Sequence, residues 1–227
     1  LGPIRPDEFI VLAEQTGSIA LLTQWVLNAV LAQVREWLSR GIELQVAMNI
    51  SALDLEDASF PEQVEQALER HQVAPRYLSL EVTESALMRE PERSLASLQR
   101  LRDSGISLAV DDYGTGYSSL AMLKSLPVQY LKIDKSFVLQ LTEGSDDAVI
   151  VRSTIELAHN MGLAVIAEGI ESEDTLHWLQ QRGCDYAQGY FVSRPVAAEV
   201  LEAWLGEAQA RFAYLAEREV GVSPSPV

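Results

Sequence analysis

The chain has 227 residues, 48% of them apolar and 22% charged, with 17 Lys and Arg against 33 Asp and Glu and a formal charge of −16. That length exceeds the roughly 100–200 residues of a typical domain but suits a single α/β barrel, and the composition excludes disordered and fibrous classes. So negative a chain repels phosphate polymers and anionic membranes; nucleic-acid binding through a basic patch is disfavoured, and a phosphate-bearing ligand would need a cation brought from outside.

Before Gln45 the pattern is helical: a short helix from Asp7 to Gln15, then a longer one from Leu22 to Arg40. The longer helix carries Leu22, Val26, Val30, Val34 and Leu38 on one side, the stripe of a helix lying on a sheet. Polar residues (Thr23, Gln24, Asn28, Gln33, Arg35, Glu36) interrupt this most apolar stretch, so it cannot cross a bilayer. From Gln45 onward a short apolar run, a turn and a stretch of helical spacing recur. The runs predict six strands at Gln45–Ser51, Leu78–Glu84, Ser107–Asp112, Val128–Asp134, Leu163–Glu168 and Tyr186–Phe191. Pro61 and Pro91 fit first helical turns, Ser145 and Ser172 open helices as caps, and Gly105, Gly162 and Gly183 fall just past helix ends. Ala197–Leu205 reads as the final helix, Gln209–Glu219 as its extension and Gly221–Val227 as a frayed tail. The lone cysteine, Cys184, cannot form an internal disulfide, which predicts a reducing, cytoplasmic setting. A signal-peptide pattern is absent, and a first residue other than Met fits a trimmed or excised domain.

Alternating strands and helices predict a parallel sheet, either an open doubly wound one or a closed barrel. The polar residues at the strand ends separate the two. They are Asn49; Glu81 and Glu84; Asp111 and Asp112; Lys132 and Asp134; Glu168 and Glu171; and Gln188. A barrel brings all of these to one face, whereas an open sheet spreads them along an edge, so the barrel is favoured.

Convergence puts at least Glu81, Asp111, Asp112 and Glu168 in one pocket with Lys132 as their cation. Like charges about 4 Å apart at an effective dielectric near 20 repel by about 4 kcal/mol per pair, so protonation or bound cations must intervene. Oxygen donors without His or Cys suit Mg²⁺ or Mn²⁺ and make a poor zinc site. The adjacent Asp111 and Asp112 suit two ions, one carboxylate bridging while its neighbour ligates the second. A single acid at a strand end is ordinarily a helix cap or turn residue, and Glu84 and Glu171 keep that reading. Capping does not account for the set Asn49, Glu81, Asp111, Asp112, Lys132 and Glu168, least of all for a lysine between Leu131 and Ile133. Gly114, Thr115 and Gly116 are either a backbone cradle for a phosphate or a tight turn. His71, His159 and His177 lie on helices away from the strand ends, Cys184 reads as a small core residue, and Trp25, Trp37, Trp178 and Trp204 read as helical core residues.

Taken in order, MNIS, LEVTES, AVDDYGTGYSSL, LKIDKSFV, AVIAEGIE and QGYFVSRP, with RPDEFIVLAEQTG before them, closely resemble the EAL domain of bacterial cyclic di-GMP phosphodiesterases. The resemblance implies a modified (β/α)8 TIM-like barrel that opens one phosphodiester bond of cyclic di-GMP to give linear pGpG with two Mg²⁺ or Mn²⁺ ions. It makes Asn49, Glu81, Asp111 and Asp112 metal ligands, and Lys132 and Glu168 the pair that positions and deprotonates water. It makes Gln188 a contact to water or substrate, 112–118 a mobile loop running toward a dimer interface, and Glu84, with Glu171, the loop's anchor. Residues 1–206 form the domain and 207–227 a helical extension and tail. The family's naming Glu-Ala-Leu tripeptide, whose Glu is a metal ligand, does not occur here. The expectation is therefore a barrel lacking its first two strands, with an incomplete metal shell and poor hydrolysis as it stands. The parent would be a homodimer, with an upstream sensory or diguanylate cyclase domain and a membrane tether both compatible. Two alternatives stay open: a cyclic di-GMP receptor that binds without cleaving, and an enolase-like barrel using carboxylate-bound Mg²⁺ for proton abstraction.

Overall fold

The computed structural model describes residues 6–116 and 120–217, which fall into two compact units, Leu1–Val192 and Ser193–Val227. The first unit opens with α1 (Pro6–Thr16) and α2 (Ile19–Ser39). Strand β1 (Val46–Asn49) follows, then α3 (Ala52–Glu56), α4 (Phe60–His71), β2 (Leu78–Thr83), α5 (Glu84–Leu87), α6 (Pro91–Asp103) and β3 (Ser107–Tyr113). The unit continues through α7 (Leu120–Ser125), β4 (Tyr130–Ile133), α8 (Lys135–Val138), α9 (Asp146–Asn160), β5 (Ala164–Ala167), α10 (Glu173–Gln181) and β6 (Tyr186–Ala187). In the second unit α11 (Ala198–Glu217) joins the predicted final helix to most of its extension; the tail lies outside the described residues.

All six strands are parallel and lie in sequence order, each paired with the next, in a curled half-barrel. The TIM-like barrel is partial, as expected. Central strands are buried on both faces: Leu78, Leu80 and Val82 of β2 and Leu108 and Val110 of β3 are at most 2% exposed. Helix α6, with Leu98 and Leu101 buried, packs on β3, and α9, with Val151, Ile155 and Ala158 buried, packs on β4 and β5. Each fully buried leucine contributes about 1.5–3 kcal/mol. The helix punctuation is as read: Ser145 and Ser172 cap α9 and α10 through their side chains, and Gly105, Gly162 and Gly183 take left-handed backbones past helix ends. Among the described residues no helix is long and apolar enough to cross a membrane.

Four expectations are corrected. Helix α2 buries Ile19, Thr23, Leu27, Leu31, Val34 and Trp37, while Leu22, Val26 and Val30 line an 870 Å³ cleft beside edge strand β1. The stripe sits one helical position off because that flank faces the cleft. Trp25 is 69% exposed, roughly opposite the buried side, and is not a core residue. The last strand stops at Ala187 because the backbone turns at Gly189, where a Cβ would come within 2.2 Å of the Ile170 backbone. Glu84 begins a helix: the Thr83 hydroxyl accepts from the Ala86 amide and caps α5.

Candidate active site

The carboxyl ends of β1 to β5 deliver the site. Asn49 is the last residue of β1 and lies in register with Glu81 on β2. Lys132, 3% exposed, stands between them and β5; its Nζ donates to Glu81 Oε2 at 2.5 Å and lies 3.0 Å from Asp111 Oδ1 and 2.6 Å from Glu168 Oε1. The structure thus brings together four of the predicted residues around one buried ammonium.

Asp112 joins them by a backbone device. In a regular strand, neighbours point to opposite faces, which would separate Asp111 from Asp112. Val110 pairs with Leu131 and Tyr113 with Ile133, so β3 carries one residue more than β4 across this stretch. That bulge falls at the two acids, and Asp112 has φ +55°, in the left-handed region that Asp tolerates better than most residues. One carboxylate oxygen each from Asp111, Asp112 and Glu168 consequently lies within 4.8 Å of the others. An oxygen-only group of this spacing fits a hard divalent cation.

The electrostatics follow from burial and crowding. Desolvation first, then the charges of Asp111 and Asp134, push the Asp112 carboxyl up to about 6. Burial likewise raises Glu81 and Glu168, against the opposing pull of Lys132. Burial alone would lower Lys132, but its hydrogen bonds to Glu168 and Glu81 and the nearby charges lift it above the ordinary lysine range. Asp134, which caps α8 by accepting from the Ser136 amide at 3.0 Å, is held low by its Ser136 bonds despite burial, and accepts a hydrogen bond from Asp112. Asp134 closes its strand in the sequence and is not among the expected site residues. Its Asp-x-Ser cap pattern was the signal that it is fixed in place.

Glu84 is 3% exposed and its Oε2 accepts from the Gly114 amide at 3.0 Å. Gly116 packs so closely on the same carboxylate that a Cβ would lie 2.8 Å from Oε1. With the Thr115 amide also engaged, by the Asp112 carbonyl at 3.3 Å, residues 114 and 115 have no free amide for a phosphate. The tight turn is the arrangement observed. Tyr117 and Ser118 of the expected mobile loop lie outside the described residues. Gln188 is exposed, its backbone joined to Ala167 and Ile170 at the carboxyl end of β5, and Glu171 is exposed and is not one of the three grouped carboxylates. Cys184 is half-buried, its thiol pushed up to about 11 by burial. His71 and His159 sit on helices, bonded to Asn28 and Asp185.

A curled parallel α/β sheet with a carboxylate and lysine cluster at its carboxyl ends defines a barrel-type protein with a metal-ready site. The sequence profile of the EAL domain matches residues 1–195, and the chain belongs to that family. It is 43% identical over 201 residues to the bifunctional diguanylate cyclase/cyclic di-GMP phosphodiesterase MucR of Pseudomonas aeruginosa, a match covering 88% of this chain and 29% of MucR. It is 41% identical over 205 residues to the cyclic di-GMP phosphodiesterase PA2567 of the same organism, covering 90% of this chain and 35% of the relative. The chain therefore spans about a third of the length of these relatives. Among solved structures, the MucR phosphodiesterase in complex with c-di-GMP superposes with a TM-score of 0.83 at 42% identity, covering 87% of each chain. The EAL enzyme Bd1971, bound to cAMP and cyclic di-GMP, gives 0.83 at 30% identity over 88% of this chain and 55% of that one.

Proposed function

We propose that this chain is the hydrolytic part of a cyclic di-GMP phosphodiesterase, opening one phosphodiester bond to yield linear pGpG with two Mg²⁺ or Mn²⁺ ions. The observation that carries this reading is the Lys132 ammonium within 3.0 Å of three carboxylates, two of which also stand in the Asp111, Asp112 and Glu168 group. Asn49, Glu81, Asp111 and Asp112 would hold the ions. Bound there, the ions supply charge neutralisation for an anionic substrate and an acidified water. Lys132 stays protonated between its carboxylates, so it works as a fixed cation that orients Glu168, not as a base. Glu168, raised by burial and pinned at 2.6 Å to Lys132, accepts the proton of the attacking water. Gln188 contacts substrate from the rim, and Glu84 fixes the turn that follows β3 and Asp112. Homodimerisation and a linked sensory or diguanylate cyclase domain belong to the same reading.

The test is chromatographic detection of pGpG after incubation with cyclic di-GMP and Mg²⁺ or Mn²⁺. Lys132→Ala should lower the rate by about 10²-fold or more; a loss under tenfold would remove the assigned role. The alternative is a receptor that binds without cleaving; the presence of Asn49, Asp111, Asp112, Lys132 and Glu168 favours the enzyme. Calorimetric binding of cyclic di-GMP in the presence of metal, with no pGpG formed, would select the receptor.

A further inference from the structure

We infer that Phe137, on the short helix α8, is a positioning residue that sets where Asp112 stands relative to Glu168. The inference rests on the proposed role of Asp112 as a metal ligand.

The turn after β3 has two supports. Glu84 Oε2 accepts from the Gly114 amide at 3.0 Å. The other support is the half-buried Phe137 ring, so close that a Cβ at Gly114 would come within 2.9 Å of Cε2 and 3.3 Å of Cζ. Gly114 also has φ +100°, a backbone that only glycine adopts without strain. The turn closes back on the acid before it: the Thr115 hydroxyl and amide both donate to the Asp112 carbonyl, at 2.8 and 3.3 Å. Asp112 itself sits in the bulge, where the ladder to β4 is interrupted. A shift of Gly114 into the space of the ring is therefore passed to Asp112 and not absorbed by strand pairing.

The helix that carries the ring is tied to the rest of the site. Its cap, Asp134, comes two residues after Lys132 and accepts from both the amide and the hydroxyl of Ser136, while Val138 is 1% exposed. Gly169, the residue after Glu168, also lies against it, so that a Cβ there would meet Lys135 Cβ at 2.6 Å and Cα at 3.2 Å. One helix of four residues thus touches the segments that carry two of the three grouped carboxylates and spaces them. Packing for stability alone favours full burial of a phenylalanine. This ring is left half-buried, with its outer edge on a glycine backbone, and its size fixes a separation. Groups that orient a ligand in this way alter metal affinity by about 10–100-fold when removed.

The test reads Mn²⁺ binding to the chain by electron paramagnetic resonance of free Mn²⁺, with thermal melting alongside. Phe137→Ala should weaken binding about tenfold in the unsubstituted chain and less than about twofold in Asp112→Asn, since a residue acting through Asp112 has little left to act on there. Phe137→Met, long enough to keep filling the space beside Gly114, should stay within about threefold of the parent. Val64→Ala on α4, a core truncation in a helix packed on α2 and α6, should lower the melting temperature and leave Mn²⁺ binding within about twofold. If Phe137→Ala does not fold, Phe137→Leu, which also withdraws the outer edge of the ring, should show the same background dependence at smaller amplitude. Equal weakening in both backgrounds, a Val64→Ala effect as large as that of Phe137→Ala, or no weakening in a folded variant overturns the inference while leaving Asp112 a ligand. An Asp112→Asn chain that binds Mn²⁺ as tightly as the parent overturns both the inference and the role given to Asp112.

Discussion

The middle of the sheet and its first edge solve the same problem in different ways. On β2 to β5 the site residues hold one another: Lys132 is tied to Glu81, Asp111 and Glu168, and Glu84 to the turn after β3. At β1 the ligand candidate Asn49 is exposed, and the chain just after it is bonded to helices: the Ser51 amide donates to Asp54, which also accepts from Thr23, and the Ser51 hydroxyl donates to Glu14. The centre is organised by charge, and the edge by hydrogen bonds to helices. Damage to the centre should therefore cost stability and chemistry together, whereas damage to the edge should cost metal binding with little loss of fold.

The largest effect tests the centre. Lys132→Met should destabilise the chain by about 3–5 kcal/mol at neutral pH, because three carboxylates lose their buried cation. Urea unfolding would show it, and the deficit should shrink in acid as the carboxylates protonate; a neutral-pH loss below about 1 kcal/mol would break the contrast. Next is Gly189→Ala, where the new Cβ meets the Ile170 backbone rather than a movable side chain. It should cost about 1–3 kcal/mol in the same measurement and mark the β6 side as held by close backbone contact.

A smaller effect concerns pH. Burial and neighbouring acids raise Asp112 from 3.8 to about 6 in the folded chain. Since its folded value exceeds the unfolded one, the stability associated with its protonated form is present in acid and is lost as pH rises between those two values. The metal-free melting temperature should fall across that window, the fall should flatten in Asp112→Asn, and saturating Mn²⁺ should oppose it. A metal-free melting curve that climbs through the window in the parent alone would reverse the assigned sign. The smallest effect belongs to the edge: Asn49→Ala should change stability by no more than about 0.5 kcal/mol while weakening Mn²⁺ binding. A large stability loss there would erase the distinction between centre and edge.

Much of the centre is legible from residue order. Lys132 between two apolar neighbours, and acids closing runs of β-branched residues, announce a buried charged cluster before any coordinates. The strand positions follow from the same runs. The edges are less legible, because their surroundings depend on partners remote in sequence. A period of 3.6 residues identifies α2 but cannot tell whether Val26 or Leu27 faces the better-packed side, and it says nothing of the exposure of Trp25. Short helices escape as well. Three of them, α3, α5 and α8, begin at Ser51, Thr83 and Asp134, each of which caps its helix at a strand end. Reading those residues as the last of their strands hides the turns they make.

The bulge in β3 carries a further consequence. As far as strand pairing is concerned, the second acid of the pair is an insertion: remove one residue there and the ladder between β3 and β4 could run without interruption. A regular sheet would need only the shorter strand; the longer one sets two carboxylates on one side. A family member that has lost this residue would be expected to keep its architecture, gain regularity, and surrender its chemistry in a single step.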